Sequence, residues 1–578
     1  MPAPDGTLRL RQTSPTGLGW LLGAFAASLP WLIPVRTPPW ATFYNEIAMA
    51  FALWPLSVWA LWAGRGKPLA LDNLTLGVMA AMLVPLGQAA TGLLWLPGEA
   101  VYAVLYLAGF ALTMSVAREA QDVAPGRLID LLFTSLAIAA LASAGIALAQ
   151  WFQLDSPAGL LDLSTLHLHR SSGNLGQPNN LATLLVWGLV ALWWAHQRGV
   201  LGGGVVTGAA ALLLVGVALT GSRAGALELG LLALAAWRWR RLLGTGPQRH
   251  VWVALAVWFV LVLLAIPSLA QRLELDSVRQ LNESASPRER LNLLRMMLAA
   301  IAERPGTGWG WNQVLSAHAA LSNRFSLHVS VGNAHNLVLD LLVWCGLPLG
   351  GLMAAGLLAW FWRIDRRIAT AEQALIYTAL AVFLLHAMLE LPHMLAYFQL
   401  PVAVMLGTLS AMQTTPTVLR LPRAAALALV LVLGAVLTTL FAEYRRVEAN
   451  ALAARVRAAN ILGAPDEYDP NVTLLKPLQT SLLAIREEPR RGMSHEELAN
   501  ILRVLKRYPS YAGLWRYAQA AALNGEPDQA RWAVGVACSL DSIQHCQASA
   551  RAWRELGATQ FPEMASVALP VPAEAPNH

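Results

Sequence analysis

Apolar runs about 17–25 residues long recur along most of the chain, and no other feature restricts its fold as strongly. A helix of that length crosses the roughly 30 Å hydrocarbon layer of a bilayer. Backbone groups in that layer have no water to bond, so a continuous apolar run must satisfy them internally, as a helix does. About thirteen such runs are predicted, at 17–35, 43–63, 73–94, 99–117, 128–150, 180–197, 202–220, 225–238, 251–269, 336–361, 374–391, 397–413 and 424–442. With 56% hydrophobic and 13% charged residues, the expected fold is all-α, a polytopic membrane helical bundle of about 12–13 transmembrane helices. The first run is long and has no small-residue cleavage site after it, so it is expected to remain as a helix.

Short-loop cations predict the topology. Arg9/Arg11, Arg65/Lys67, Arg118/Arg127, Arg198, Arg238/Arg240/Arg241/Arg249, Arg363/Arg366/Arg367 and Arg420/Arg423 fall on alternate connections. That side is expected to be cytoplasmic, with residues 1–16 a cytoplasmic tail and 17–442 the membrane domain. The polar loop 271–336 then lies outside, although it carries Arg272, Arg279, Arg288, Arg290, Arg295, Arg304 and Arg324. Long loops escape the charge rule, so these arginines call for another explanation. The net charge of +7 is the ordinary inside excess, and no nucleic-acid-binding pattern accompanies it. Residues 443–560 read as a helical outer domain, with two antiparallel helices broken at Asn524-Gly525, either a generic hairpin or one tetratricopeptide-like unit. The proline- and alanine-rich segment 561–578 reads as a disordered tail. Cys345 reads as a core residue, whereas Cys538 and Cys546 are placed where a disulfide is possible.

Four outward-facing features carry polar chemistry. Arg170-Ser-Ser-Gly-Asn-Leu-Gly-Gln-Pro-Asn-Asn180 is either a structural turn or a binding loop whose amides meet sugar hydroxyls or phosphate oxygens. Thr220-Gly-Ser-Arg223-Ala-Gly225 places an arginine between two spans, where it either snorkels or meets an anion beside flexible glycine backbone. Ser286-Pro-Arg288-Glu-Arg290 opens an amphipathic helix with Ser286 as N-cap and an apolar stripe of Leu291, Leu294, Met297, Leu298 and Ile301. Arginine forks suit diphosphate oxygens, which favours a binding role for the set. Gly332-Asn333-Ala334-His335-Asn336 places a histidine at a helix start, either a capped polar residue or a base for a hydroxyl nucleophile. Glu390-Leu-Pro-His393 and Tyr397 fall on the same side and are expected to wall the site. No metal-ligand spacing and no P-loop appears, so no metal and no cofactor is expected.

In this order the motifs resemble the Wzy/O-antigen-ligase superfamily, and most closely the bacterial protein O-oligosaccharyltransferases of the PglL type. The resemblance rests on Gly173-Asn-Leu-Gly-Gln177-Pro-Asn-Asn, Thr220-Gly-Ser-Arg-Ala-Gly, Gly308-Trp-Gly-Trp, Ala334-His335-Asn336-Leu, and Glu390-Leu-Pro with Ala396-Tyr397-Phe. Asn180 and Asn333 stand where the family often has histidine, which leaves His335 as the main candidate. The resemblance implies a multi-pass bacterial inner-membrane enzyme with its N-terminus cytoplasmic and its C-terminal domain periplasmic. It implies transfer of a preassembled oligosaccharide from a polyprenyl (undecaprenyl) pyrophosphate carrier to a serine or threonine hydroxyl of a periplasmic protein. His335 would be the catalytic residue, and Arg223, Arg288 and Arg290 would hold the diphosphate. Gln177, Asn179, Asn174, Asn336 and Tyr397 would position substrate. Ligation to lipid A-core or polymerisation of O-antigen uses the same motifs with another acceptor. A transporter for the lipid-linked glycan predicts mid-membrane charges and internal repeats instead, and a non-catalytic scaffold predicts indifference to His335.

Overall fold

The computed structural model describes residues 17–64, 66–154, 159, 170–244, 249–275, 287–325, 327–461 and 469–569. The chain is all-α. The helices are α1 (Leu18–Ser28), α2 (Phe43–Ala63), α3 (Asn73–Ala81), α4 (Leu83–Ala90), α5 (Glu99–Val123), α6 (Arg127–Trp151), α7 (Pro178–Gln197) and α8 (Gly203–Thr220). They continue as α9 (Arg223–Arg238), α10 (Arg249–Arg272), α11 (Pro287–Glu303), α12 (Val314–Ala320), α13 (Leu337–Asp365), α14 (Ala371–Ala387), α15 (Ala396–Met412) and α16 (Arg423–Ala458). Six shorter helices follow: α17 (Lys476–Arg486), α18 (His495–Arg507), α19 (Tyr511–Leu523), α20 (Pro527–Leu540), α21 (Ile543–Thr559) and α22 (Pro562–Ala565).

Each of the thirteen predicted apolar runs is helical. Among the described residues eight spans are long and apolar enough to cross a membrane: α2, α3 with α4, α5, α6, α8, α10, α13 and α16. The apolar helices at Leu18–Trp31, α14 and α15 are shorter. The chain forms two compact units. The first holds Met1–Pro34, Ala124–Arg279 and Ala369–Val382; in it α6 packs on α1, α7 and α8, and α7 on α9. Arg198 closes one end of this unit on Asp130 (2.6 Å) and Glu372 (3.0 Å).

The second unit holds Val35–Val123, Gln280–Ile368 and Phe383–His578. Here α5 packs on α2 and α15, and α2 on α16. Short strands β1 (Leu69–Leu71) and β2 (Leu419–Leu421) pair antiparallel, Leu69 opposite Leu421. Arg118 bonds Asp72 at 3.2 Å, and Arg423 bonds Glu119 at 3.1 Å. These cations belong to the predicted cytoplasmic set, so here the charge rule coincides with structural ion pairs.

Three ties fasten the C-terminal helices within this unit. Helix α16 runs unbroken past 443, and the buried Glu443 carboxylate accepts the N–H groups of Thr473, Leu474 and Leu475 ahead of α17. Arg507 meets Glu99 at 2.5 Å, both buried. His328 N–H donates to the Ser539 carbonyl at 2.9 Å. The break predicted at Asn524-Gly525 separates α19 from α20, and Gly525 supplies the φ of +78° that the turn requires. Cys538 and Cys546 are disulfide-bonded. Order continues past Phe561 into α22, whose buried Met564 offers its carbonyl to Trp553 Nε1 at 3.0 Å, because Met564 completes the core of these helices. Residues 570–578 lie outside the described residues.

The polar loop is anchored by a backbone clasp. Helix α13 breaks at Gly346 (φ +73°), and Pro348 follows, which has no N–H to donate to the ladder. The carbonyls left open at Val343 and Trp344 accept the N–H groups of Trp309 (2.7 Å) and Gly310 (3.1 Å), while Leu347 N–H donates to Pro305 (2.7 Å). Gly308-Trp-Gly-Trp is therefore a structural motif. Gly308 sits at φ +70°, and a Cβ there would lie 2.6 Å from Gly346 N and from the Trp344 carbonyl carbon. Gly308→Ala is expected to cost about 1–3 kcal/mol through overpacking, with backbone strain added. Thermal unfolding in detergent would measure this, and an unchanged melting temperature would show that the clasp yields.

Candidate active site

In the first unit the two glycine-containing motifs hold one another. Gln150, near the end of α6, accepts the Ser172 and Gly173 N–H groups (3.1 and 2.9 Å) and donates to the Gly173 carbonyl (3.0 Å). Gln177 is the N-cap of α7, its side chain accepting Asn180 N–H at 2.6 Å, with Pro178 in the first helical position. Ser222 caps α9 through Gly225 N–H (3.0 Å) and donates to Asn179 Oδ1 (2.7 Å). Arg170 donates to that same oxygen (3.3 Å) and to the Thr220 carbonyl (2.8 Å). Asn174 is buried, its amide donating to the Leu32 carbonyl at 2.7 Å. Asn174 and Asn179 thus shape the turn, while Arg223 is exposed at the first residue of α9. A helix N-terminus beneath an exposed arginine favours an anion on both counts.

In the second unit the centre is His335. It adopts φ +51°, a left-handed backbone that costs a non-glycine residue free energy unless its surroundings impose it. Asn336, next in sequence, is the N-cap of α13, its side chain accepting Leu339 N–H (3.0 Å) and donating to the Met388 carbonyl (2.9 Å). His335 Nδ1 lies 2.8 Å from Glu390 Oε2, so the ring turns its other nitrogen, Nε2, away from that carboxylate; the side chain is 42% exposed. The hydrogen bond to Glu390 raises the imidazole above its ordinary range; partial burial opposes this, the Glu390 and Asp340 charges support it, and Arg290 lowers it. His318, buried in α12 without a carboxylate, is instead pushed down to about 4. This contrast sets His335 apart as a partly exposed histidine whose imidazole is held above its ordinary range.

The predicted arginines divide. Arg290 is exposed on α11, and its charge acts on His335. Arg288 lies in the first turn of α11, while Ser286 and Arg279 fall outside the described residues. Arg304 stacks on the Trp309 ring at 4.0 Å, a packing role. Tyr397 is fully buried in the first turn of α15, behind any exposed surface.

The apolar stripe of α11 needs correction. Met296, Met297, Ala300 and Ile301 are buried with Trp309, Trp344 and Cys345, whereas Leu291, Leu294 and Leu298 are exposed. The helix carries two apolar faces roughly a third of a turn apart, and α13 covers one of them. In the sequence Glu390 stands out only as part of a motif, and Asp340 not at all. Their pairing with residues distant in sequence left no local signal.

Comparison with known proteins places this geometry. Residues 208–354 match the O-Antigen ligase family, residues 173–196 the Protein glycosylation ligase family, and residues 374–551 the family described as Virulence factor membrane-bound polymerase, C-terminal. The chain is 30% identical over 527 residues to the General O-oligosaccharyltransferase of Acinetobacter baylyi, covering 88% of this chain and 90% of that one. It is 24% identical over 248 residues to the ComP-specific O-oligosaccharyltransferase of the same organism, covering 42% and 44%. The matched segments contain the capped turns, Arg223, the clasp, His335 and Glu390, and the described helices include eight long enough to span a membrane. The chain is a multi-pass membrane glycosyltransferase and belongs to the O-antigen ligase superfamily, among the bacterial protein O-oligosaccharyltransferases of the PglL type.

Proposed function

We propose that this enzyme transfers a preassembled glycan from an undecaprenyl pyrophosphate carrier to a serine or threonine hydroxyl of a periplasmic protein. The observation that carries the reading is the His335–Glu390 pair at 2.8 Å, with the imidazole partly exposed and the Arg290 charge acting on it. A carboxylate on Nδ1 fixes the tautomer in which Nε2 is the basic nitrogen, the arrangement that serves hydroxyl nucleophiles elsewhere. Nε2 takes the acceptor hydroxyl proton as its oxygen attacks the anomeric carbon. The bond from that carbon to the diphosphate oxygen breaks, and the lipid diphosphate leaves with the electron pair.

Arg223, Arg288 and Arg290 neutralise the growing diphosphate charge, a task for which fixed guanidinium forks are well suited. Gln177 and Asn179 keep the first unit's turn in place for the donor. Asn336 holds the His335 turn, and Tyr397 supports α15 from within. The reading places the N-terminus in the cytoplasm and residues 443–560 in the periplasm. The Cys538–Cys546 disulfide supports an oxidising compartment for those helices. The exposed Leu291, Leu294 and Leu298 suit α11 to the outer bilayer surface, with its arginines at headgroup level.

The test is expression in cells stripped of their own ligases but supplied with lipid-linked glycan, followed by mass spectrometry of periplasmic proteins. Glycan on serine or threonine is expected. Glycan only on lipid A-core, or only as longer lipid-linked chains, would overturn the acceptor assignment.

A further inference from the structure

We infer that Asp340 and His393 form a positioning pair for His335, acting through the backbone of the 332–336 turn without touching substrate. The inference rests on the proposed role of His335 as base. Asp340 is fully buried in the first turn of α13. One carboxylate oxygen accepts Ala334 N–H at 2.8 Å, and the other meets His393 Nε2 at 3.1 Å. His393 Nδ1 is buried with no hydrogen-bond partner among the described residues. That pattern fits a singly protonated ring with its hydrogen on Nε2, since a second N–H buried without an acceptor would be costly.

The consequence falls on His335. Its left-handed backbone lies between two fixed points, Ala334 held by Asp340 and Asn336 held by its own cap and by Met388. Without the Asp340 acceptor, the buried Ala334 N–H loses its partner and the strained residue relaxes toward an ordinary conformation, carrying Nδ1 away from Glu390. Asp340 also contributes charge. The groups facing His335 are Glu390 from the segment after α14, Asp340 from α13 and Arg290 from α11. Among the described residues, His386 of α14 also acts electrostatically with His393. The Asp340 charge acts on the imidazole together with that of Glu390.

The test uses the full-length enzyme in nanodiscs, with two readouts. The first is kcat, KM for the lipid-linked donor and the pH profile of transfer. The second is the rate at which diethylpyrocarbonate modifies His335 as a function of pH, read by mass spectrometry; it needs neither donor nor acceptor. Asp340→Asn leaves one oxygen for the two N–H groups that the carboxylate accepts and removes its charge, and is expected to lower kcat about tenfold or more, the scale on which groups that orient a functional imidazole act. It should leave KM for the donor nearly unchanged and move the midpoints of both pH profiles downward. His393→Gln keeps an N–H donor for Asp340 and should stay near wild type, whereas His393→Leu, which leaves one buried Asp340 oxygen without its donor, should lower kcat as Asp340→Asn does. If Asp340→Asn fails to fold, the contrast between the two His393 variants carries the test. Wild-type midpoints and wild-type kcat per folded molecule in Asp340→Asn, or equal behaviour of the two His393 variants, would overturn the pair. Shifted modification midpoints in an enzyme that glycosylates no protein would instead overturn the functional reading and leave the pair standing.

Discussion

His335→Gln is expected to reduce glycan transfer by about 10²- to 10⁴-fold with little change in the amount of folded protein, the range typical of losing a positioned general base. Glutamine keeps a hydrogen-bonding group near Glu390 but takes no proton at neutral pH. The base must be neutral to act, so wild-type transfer should rise with pH through the raised imidazole value. Glu390→Gln removes the largest cause of that elevation, moving the rise to lower pH and lowering the plateau. The sign for stability is opposite. A histidine whose value is raised by folding adds stability that is fully present below its unfolded value and lost as pH rises through the folded one. The enzyme should therefore become more active and slightly less stable across the same window. Transfer at the normal rate by His335→Gln, with normal protein levels, would remove the base from the mechanism.

Arg223→Ala is expected to lower kcat by about 10²- to 10³-fold, about 3–4 kcal/mol of transition-state stabilisation, if this guanidinium meets the diphosphate as its charge grows. Arg223→Lys should recover only part of that loss, because an ammonium cannot offer two parallel N–H donors. The local fold should survive either change. The α9 cap belongs to Ser222, the bond to Asn179 comes from the Ser222 hydroxyl, and Arg223 itself is exposed. Single-turnover rates with saturating lipid-linked donor would measure the effect. A change confined to KM would mean that Arg223 binds donor and transition state equally, and wild-type kinetics would exclude it from the site.

Local patterns carried much of this. Run length marked all thirteen stretches as helical, because apolar length is a property of consecutive residues; among the described residues eight spans are long and apolar enough to cross a membrane. The predicted start of α11 at Pro287 is observed, whereas Gln177, Ser222 and Asn336 emerge as caps only in the structure. Less legible was what a motif does. Gly308-Trp-Gly-Trp carries part of the family resemblance, and in the structure it closes the break in α13 with backbone hydrogen bonds. Asn174 and Asn179 read either as turn residues or as amides that position substrate, and the bonds they make here hold turns together. An amide looks the same in sequence whichever partner it finds.

By itself the sequence determined that this chain is a helical membrane protein, that α11 opens at Pro287, and that His335 and Arg223 stand at helix starts. The tertiary structure alone decided which face of α11 is covered, since both its apolar stripes satisfy the helical period and only α13 chooses between them. It also brought His335 to Glu390, 55 residues away, and the Asp340 carboxylate to the Ala334 N–H. Those pairings arise where α13, the end of α14 and the segment before α15 meet. Side chains from separate helices come within hydrogen-bond distance through packing, which the spacing of residues along one helix does not record.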